Sequence, residues 1–176
     1  TQGGVLITCK GASTWASNNS LSNAAVKGKV KKDNTRRSAY VNAAKERGAQ
    51  YVGGAIFKSY VDLSHPLCYG YHRTALPIFK RGTLALELSE NPYANPVLYK
   101  NEPLPSGYIS APHQQYMQNS AAVTVSGIGR GRIISFVDNP NFRGFWLGTN
   151  KLFANAIFFG NTIDGATVAS SKSKKA

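Results

Sequence analysis

Two cysteines, Cys9 and Cys68, are the residues of this sequence with the clearest capacity for chemistry. Cys9 directly precedes Lys10, and an adjacent cation favours the thiolate, which is the nucleophilic form of the side chain. A thiol nucleophile also needs a base and a group that orients that base. The pair is compatible with one disulfide, two buried thiols or one reactive thiol. Because the sequence has no Cys-x-x-Cys and no paired His/Cys cluster, we expect no structural zinc site.

A second candidate cluster consists of Asp62, Ser64 and His65, which follow an apolar strand-like run. Ligands in α/β proteins often bind where strands end, so these three residues could form a polar site. The competing interpretation is a turn, in which Asp62 or Ser64 caps backbone groups and holds the imidazole. Ser and Asp beside Pro are ordinary turn residues, and we therefore favour the turn.

The most distinctive stretch, 138–160, follows an apolar run that is typical of a strand. An Asn-Pro pair that starts at Asn139 breaks the strand. Thr149 or Asn150 can then cap the first turn of a helix. Gly160 is placed for a left-handed C-terminal cap. These features predict two turns followed by a short helix.

The predicted helix is apolar on two sides. At about 100° per residue, one side carries an apolar stripe and Phe158 falls on the other side. The stripe consists of Leu152, Phe153, Ala156, Ile157 and Phe159. One interpretation is a closing helix that is buried against a sheet. The alternative is a polar, aromatic surface for a partner or ligand, and Phe158 marks a second apolar face of the helix that could contact another part of the protein. That surface consists of Asn139, Asn141, Arg143, Trp146 and Asn150.

The formal net charge of +13 raises the question of nucleic-acid binding. Much of that charge lies in the segment 27–37 and in the tail 172–175. Neither segment interleaves aromatic residues with its basic ones, so neither resembles a base-stacking platform. We therefore expect a solvated loop and tail, with only weak attraction to anionic polymers or surfaces.

At 176 residues, 42% of them hydrophobic, the chain fits one domain with a real core. No apolar run approaches the ~20 residues of a membrane span. Strands with helices at both ends of the chain and a strand-rich middle predict an α/β fold. We expect one domain over 1–165, with 17–38 as a basic mobile insertion and 166–176 as a disordered basic tail. The first residues carry no signal peptide, and we expect the chain to begin inside a larger protein.

Several separated segments are together similar to one protein family. They are 3–7, 61–67, 106–110, 129–134 and the closing block from Asp-Asn-Pro-Asn-Phe-Arg at 138–143 to Asn-Ala-Ile-Phe-Phe-Gly at 155–160. The chain resembles the C-terminal region of secreted bacterial zinc carboxypeptidases, carboxypeptidase A-like enzymes that end in a class I glutamine amidotransferase-like domain. The resemblance covers most of the chain outside 17–38 and the tail, and the closing block is its most specific part. It implies a flavodoxin-like, three-layer fold, incomplete at its N-terminal side, in a periplasmic or secreted protein.

The resemblance also implies where the metal of such enzymes belongs. The peptidase domain binds zinc through a His-x-x-Glu pair and a later His. This sequence contains no His-x-x-Glu among its histidines, which are His65, His72 and His113. We therefore expect no cofactor in this chain and zinc only in an upstream peptidase domain. The implied partners are that domain or a second subunit that covers an open sheet edge.

Glutamine amidotransferases place their nucleophilic cysteine on a strand-to-helix turn written Gly-x-Cys-x-Gly. The equivalent segment here runs from Ile7 through Cys9 to Gly11, so Ile replaces the first glycine. The His-Pro-Glu of that family has its only counterpart at His65-Pro66, where Leu67 replaces the carboxylate that would fix the imidazole tautomer. Cys9 and His65 are therefore weak catalytic candidates.

The sequence favours a non-catalytic accessory domain of a zinc carboxypeptidase, with a role in packing, assembly or substrate presentation. Within it, Arg143 and Trp146 are predicted interface residues, because Arg and Trp are common interface anchors. The first alternative is a degenerate amidotransferase-like hydrolase that acts through Cys9. The second is a basic module that binds nucleic acid or another polyanion.

Overall fold

The computed structural model describes residues 3–28, 30, 37–102 and 104–169. Over these residues, seven strands form one mixed sheet that is accompanied by four α-helices. The strands are β1 (Val5–Cys9), β2 (Ala55–Val61), β3 (Ala75–Lys80), β4 (Val97–Tyr99), β5 (Ser106–Gly107), β6 (Ala121–Ile128) and β7 (Gly131–Phe136). The helices are α1 (Gly11–Asn18), α2 (Ala43–Ala49), α3 (Ala111–Met117) and α4 (Asn150–Phe159). Short 3-10 helices lie between them, and none of the described helices is long and apolar enough to cross a membrane.

The strands lie in the order β1-β7-β6-β4-β2-β3, and β5 pairs with β2. β1 and β7 run parallel, whereas the other pairs are antiparallel. β6 and β7 form a hairpin, in which Gly129 takes a left-handed φ of 56°. The α/β prediction is confirmed at this level.

Helices cover both faces of the sheet where β1 meets β7. Successive strand residues point to opposite faces. Val5 and Ile7 pack against the main apolar core, which includes Leu152 of α4. Thr8 faces the other way and contacts α1, where the Ser13 hydroxyl donates to Thr8 Oγ1 at 3.1 Å. This part of the molecule therefore has three layers, α1, the sheet and α4.

Part of the segment predicted as a mobile insertion is packed in the structure. Residues 17 and 18 close α1, and Ser22 and Ala24 are buried. Val26 forms an isolated bridge with Leu86. These contacts are non-local, which is why the composition of 17–38 did not indicate them. Residues 29 and 31–36 of the basic run lie outside the described residues.

The last described residues continue the fold past the predicted boundary at 165. A 3-10 helix spans Gly165–Thr167, and Ala169 forms a parallel bridge with Ser126 of β6. Of the predicted basic tail, 170–176 lies outside the described residues.

Helix α4 has the predicted location but a narrower buried face than its pattern indicates. Its buried residues are Leu152, Asn155 and Ala156. The other large apolar side chains of its last turn are exposed, namely Ile157, Phe158 and Phe159. The helix packs on the loop after β2 as well as on the sheet, so a polar residue, Asn155, lies in the buried face.

The two ends of α4 also differ from the expected caps. Thr149 does not cap the helix, because its hydroxyl donates to the Pro140 carbonyl. Gly160 has φ −57° and ψ −35°, which is right-handed rather than left-handed. The glycine is needed for close packing, since a Cβ there would lie 2.9 Å from Val5 Cγ1 and 3.3 Å from Ile134 Cδ1.

We therefore expect Gly160→Ala to destabilise the protein by about 1–3 kcal/mol, the usual cost of overpacking. The right-handed backbone removes any conformational reason for this loss, because Ala is favoured over Gly there. Urea unfolding of Gly160→Ala and of Gly160→Ala/Val5→Ala separates the causes. The double variant should recover part of the loss, and a single variant as stable as wild type would contradict the packing argument.

Candidate functional site

The turn between β1 and α1 holds a strained backbone, but at a different residue from the one expected. Cys9 is the last residue of β1, and Lys10 occupies the turn with φ 53° and ψ −120°. The Lys10 N–H donates to the Phe136 carbonyl at 2.9 Å, and Ser13 donates to the same carbonyl at 2.8 Å. The turn thus presents Lys10, and not the thiol, in the position that a nucleophile would take in Gly-x-Cys-x-Gly.

Neither cysteine has the surroundings of a nucleophile. Both are free thiols in the structure, Cys9 partly buried and Cys68 fully buried. Burial raises the pKa of the Cys9 thiol, which opposes thiolate formation. Burial also raises the pKa of Cys68 to about 12, and its Sγ contacts the Pro96 carbonyl at 3.7 Å. The effect expected from Lys10 is therefore outweighed by desolvation at Cys9.

A buried charged cluster lies beyond the end of β7. Lys80 Nζ is 3.2 Å from Asp138 Oδ2, and neither side chain is more than 6% exposed. The Tyr99 hydroxyl donates to the same carboxylate oxygen at 2.5 Å, and Lys80 also donates to the Leu84 carbonyl at 2.8 Å. The ammonium lies 5.1 Å from the centre of the Tyr99 ring. The cluster therefore ties β3 and β4 to the end of β7.

Desolvation dominates the ionisation of this cluster. Burial lowers the pKa of Lys80, and Asp138 opposes that shift. Burial raises the pKa of Tyr99 well above its ordinary value, and the neighbouring carboxylate adds to the effect. With its donors directed at Asp138 and Leu84, Lys80 is held as part of the fold.

Sequence reasoning missed Lys80, although one signal was present. Lys80 continues the alternation of Leu76 and Ile78, both of which are buried. A charged side chain on the buried face of a strand destabilises the fold unless it has a partner of opposite charge. The position of Lys80 therefore indicates a buried counter-ion. No local pattern identifies that counter-ion, because Asp138 lies 58 residues away.

Asp62, Ser64 and His65 form a turn in the structure. The Asp62 carboxylate accepts the Ser64 N–H at 3.0 Å and the Ser64 hydroxyl at 2.6 Å. His65 Nδ1 accepts the Leu67 N–H at 3.1 Å, which caps the 3-10 helix Pro66–Cys68. The neutral imidazole must then carry its proton on Nε2, which is buried without a partner. This geometry is the turn that the sequence favoured over a ligand site.

Burial lowers the pKa of His65 to about 4, against an opposing effect of Asp62. The unfolded chain binds the proton near pH 6.5, so the stability that His65 contributes is complete above that pH and is lost as the pH falls towards 4. The shift corresponds to about 3 kcal/mol. His65→Asn should abolish this loss while it keeps the cap, since Asn91 caps Tyr93 in the same way before Pro92.

Urea unfolding at pH 7 and pH 4 measures this effect, with His72→Asn as the exposed control. We expect the control to lose stability on acidification as wild type does, and His65→Asn to lose about 3 kcal/mol less. An equal loss in all three proteins would contradict the assignment.

The predicted polar, aromatic surface is largely an internal structure of its own loop. Asn139 accepts the Asn141 N–H at 3.0 Å. In its correct amide orientation, Asn150 donates to Asn141 Oδ1 at 2.8 Å and to the Pro140 and Trp146 carbonyls. Asn150 thus holds the loop closed from the first turn of α4.

The aromatic residues of the same loop divide between packing and exposure. Trp146 is partly buried, with its ring 6.1 Å from that of Phe79. Arg143 is exposed and lies over the Phe142 ring at 5.5 Å, with a left-handed φ of 52°. Phe158 is 77% exposed on α4. Five of the six predicted surface residues therefore lie in one loop or at the start of α4, where Asn139, Asn141 and Arg143 are exposed, and Phe158 lies apart from them in the last turn of α4.

The side of β1 that faces away from β7 is the stronger candidate for a binding site. Two hydrogen bonds between β1 and β7 show which backbone groups lie on that side. The Arg132 N–H donates to the Gly4 carbonyl and the Lys10 N–H donates to the Phe136 carbonyl, both at 2.9 Å. In a parallel pair, the N–H and C=O of one residue point to the same side, and successive residues alternate. The even-numbered residues of β1 therefore bond to β7.

Val5, Ile7 and Cys9 accordingly direct their backbone N–H and C=O groups away from β7. No described strand pairs with that side of β1. Leu6 is 42% exposed. Helix α4 ends beside this strand, since Gly160 packs on Val5. The result is an aliphatic edge whose backbone groups have no partner strand among the described residues, next to the exposed apolar last turn of α4.

A scan against protein-family models finds no matching family, and searches of curated proteins and of solved structures find no match. In the part of the chain that the structure describes, no group of three or more His, Cys, Asp or Glu side chains is arranged to hold a metal ion.

Proposed function

We propose that this chain is a non-catalytic accessory domain that binds another polypeptide, and that the enzyme it serves is a secreted or periplasmic zinc carboxypeptidase. The open aliphatic edge of β1 is the observation that carries the binding role. Edge strands of soluble proteins are normally protected by charges, prolines, bulges or a covering element. β1 has none of these protections among the described residues, so its edge suits an interface.

The environment of Cys9 supports the non-catalytic part of the proposal. The thiol has a raised pKa, and the strained turn belongs to Lys10. Among the described residues, no hydrogen bond joins Cys9 to an imidazole. His65 is committed to its own turn and His113 Nδ1 is bonded to Ser110 at 2.9 Å. A thiol without a base lacks the partner that nucleophilic catalysis requires.

The carboxypeptidase association and the secreted location rest on the resemblance of the closing block at 138–160. The flavodoxin-like, amidotransferase-like fold is part of the same proposal. It is supported by the parallel β1–β7 pair, the strained turn from β1 into α1 and the placement of α4 on the opposite face. In this proposal, zinc belongs to the peptidase domain, and this chain contributes packing, assembly or substrate presentation.

A turnover assay of the purified chain tests the non-catalytic role. We expect neither ammonia release from glutamine nor release of the C-terminal residue from a peptide, with wild type and Cys9→Ala equal to the buffer blank. Turnover that Cys9→Ala abolishes would establish the amidotransferase-like alternative and contradict the proposal.

A further inference from the structure

Within the described part of the chain, β1 has a neighbouring strand on one side only, and its other side has the hydrogen-bonding pattern of an edge that can accept another strand. Val5, Ile7 and Cys9 offer three N–H donors and three C=O acceptors on one side. They repeat every second residue, or about 6.6 Å. Another extended backbone matches that repeat, which is how peptides add to exposed sheet edges. The geometry thus specifies the conformation of the partner segment.

Apolar side chains flank this edge on both faces of the sheet. Leu6 lies on the face of the sheet that α1 covers, whereas Val5 and Ile7 lie on the opposite face. On the other face, the last turn of α4 exposes Ile157 by 55% and Phe158 by 77%. An added strand with alternating aliphatic residues would remove apolar surface from water on both faces, which stabilises the complex.

The charges around β1 indicate which charge the residues at the two ends of an added strand should carry. Lys10 follows the C-terminal end of β1, and Arg132 pairs with Val5 at its other end, close to the exposed Arg130. α1 carries no charged residue. One acidic residue, Asp164, lies in the same region, since a Cβ added at the next residue, Gly165, would be 3.1 Å from the Arg132 guanidinium. The surroundings are therefore net basic, and complementary charge favours an acidic partner.

The same charge disfavours a second copy of this chain as the partner. Each copy carries a formal net charge of +13, so edge-to-edge pairing would bring two basic surfaces together.

From these observations we propose that the open side of β1 is a strand-addition site for an extended aliphatic segment with acidic flanks, supplied by a different polypeptide or domain. This inference rests on the proposed binding role and names the chemistry of its partner segment.

Fluorescence anisotropy with a labelled peptide, Asp-Glu-Val-Thr-Val-Ile-Val-Glu-Asp, tests this site on the full chain. Leu6→Glu removes an aliphatic contact and places a negative charge beside an acidic peptide, so it should weaken binding at least about tenfold. Ile7→Pro removes an N–H that faces away from β7, a position where edge strands accept Pro, and should also weaken binding about tenfold or more. Leu147→Glu is the matched control, because Leu147 is 70% exposed in the loop before α4. Its affinity should equal that of wild type.

A peptide with Lys in place of its acidic flanks should bind at least about tenfold more weakly than the acidic peptide. Lowering the salt concentration should weaken its binding further, because the repulsion from the basic surroundings of β1 is then screened less. Circular dichroism confirms that each variant is folded before its affinity is used. The proposal is overturned if wild type does not bind the peptide, or if folded Leu6→Glu and Ile7→Pro bind it as wild type does. A concentration-dependent dimer that Ile7→Pro dissociates would assign the edge to a second copy and also overturn it. If the peptide binds but no carboxypeptidase is associated with the protein, this site is retained and the carboxypeptidase proposal is removed. If a carboxypeptidase is associated but the peptide does not bind, only this site is removed.

Discussion

Asp138→Asn is expected to lower the free energy of unfolding by about 3–5 kcal/mol, the range observed when one partner of a buried ion pair is removed. Asn keeps the shape of the side chain and an acceptor for Tyr99, but it leaves the Lys80 ammonium fully buried without a counter-ion. Desolvation of that unpaired charge causes the loss. Urea or thermal unfolding followed by circular dichroism measures it.

A matched control and a double variant separate this cause from a general effect of lost charge. Asp164→Asn removes the same charge at an exposed residue and keeps its bond to the Ala166 N–H, so we expect a change within about 0.5 kcal/mol. Lys80→Met with Asp138→Asn removes both charges and should recover at least about 2 kcal/mol of the loss, since paired removal is often tolerated. A loss below about 1 kcal/mol in Asp138→Asn would show that the cluster does not hold the strands together.

Asn155→Leu is expected to cost about 2–4 kcal/mol, although it makes α4 more apolar. The amide of this buried residue donates to the carbonyls of Leu67 and Tyr69, both at 2.9 Å. Leu cannot replace either bond, and each buried carbonyl left without a donor costs about 1–3 kcal/mol. The result would be measured as a shift in the urea midpoint at constant slope.

Asn161→Leu provides the control for this prediction, because Asn161 is exposed just after α4. The same chemical change there should alter stability by no more than about 0.5 kcal/mol. A stable Asn155→Leu protein would mean that apolar burial outweighs the two lost hydrogen bonds, and that α4 packs as a simple amphipathic helix.

Local sequence patterns predicted where the helices and strands lie better than they predicted which elements pair or pack with one another. The position of α4 followed from the Asn-Pro pair before it, from its apolar periodicity and from the glycine at its end. The parallel pairing of Val5 with Arg132 joins the first strand of the chain to its last, and no periodicity specifies such a pairing. For the same reason the sequence indicated a buried stripe through Ile157, whereas the structure buries Asn155 against a loop 88 residues away.

The candidate site shows the same limit. The sequence located a strand-to-helix turn at Cys9, but the chain places the strained residue one position later, at Lys10. Whether a thiol lies on or before such a turn depends on the register of β1 with β7, which is a non-local property. The aliphatic sequence of β1 could not predict that one of its edges is open. A short aliphatic run is typical both of a strand buried inside a sheet and of an unprotected strand at its edge.

We propose that this chain is a non-catalytic accessory domain of a zinc carboxypeptidase, so the native protein should co-precipitate with carboxypeptidase activity. An antibody against the chain would be used to precipitate the native protein from the medium or periplasm of its source, and the precipitate assayed for release of C-terminal residues from a peptide. We expect the precipitate to have carboxypeptidase activity that 1,10-phenanthroline abolishes and added zinc restores, while the purified chain alone has none. A precipitate that contains the chain but no chelator-sensitive carboxypeptidase activity would contradict it.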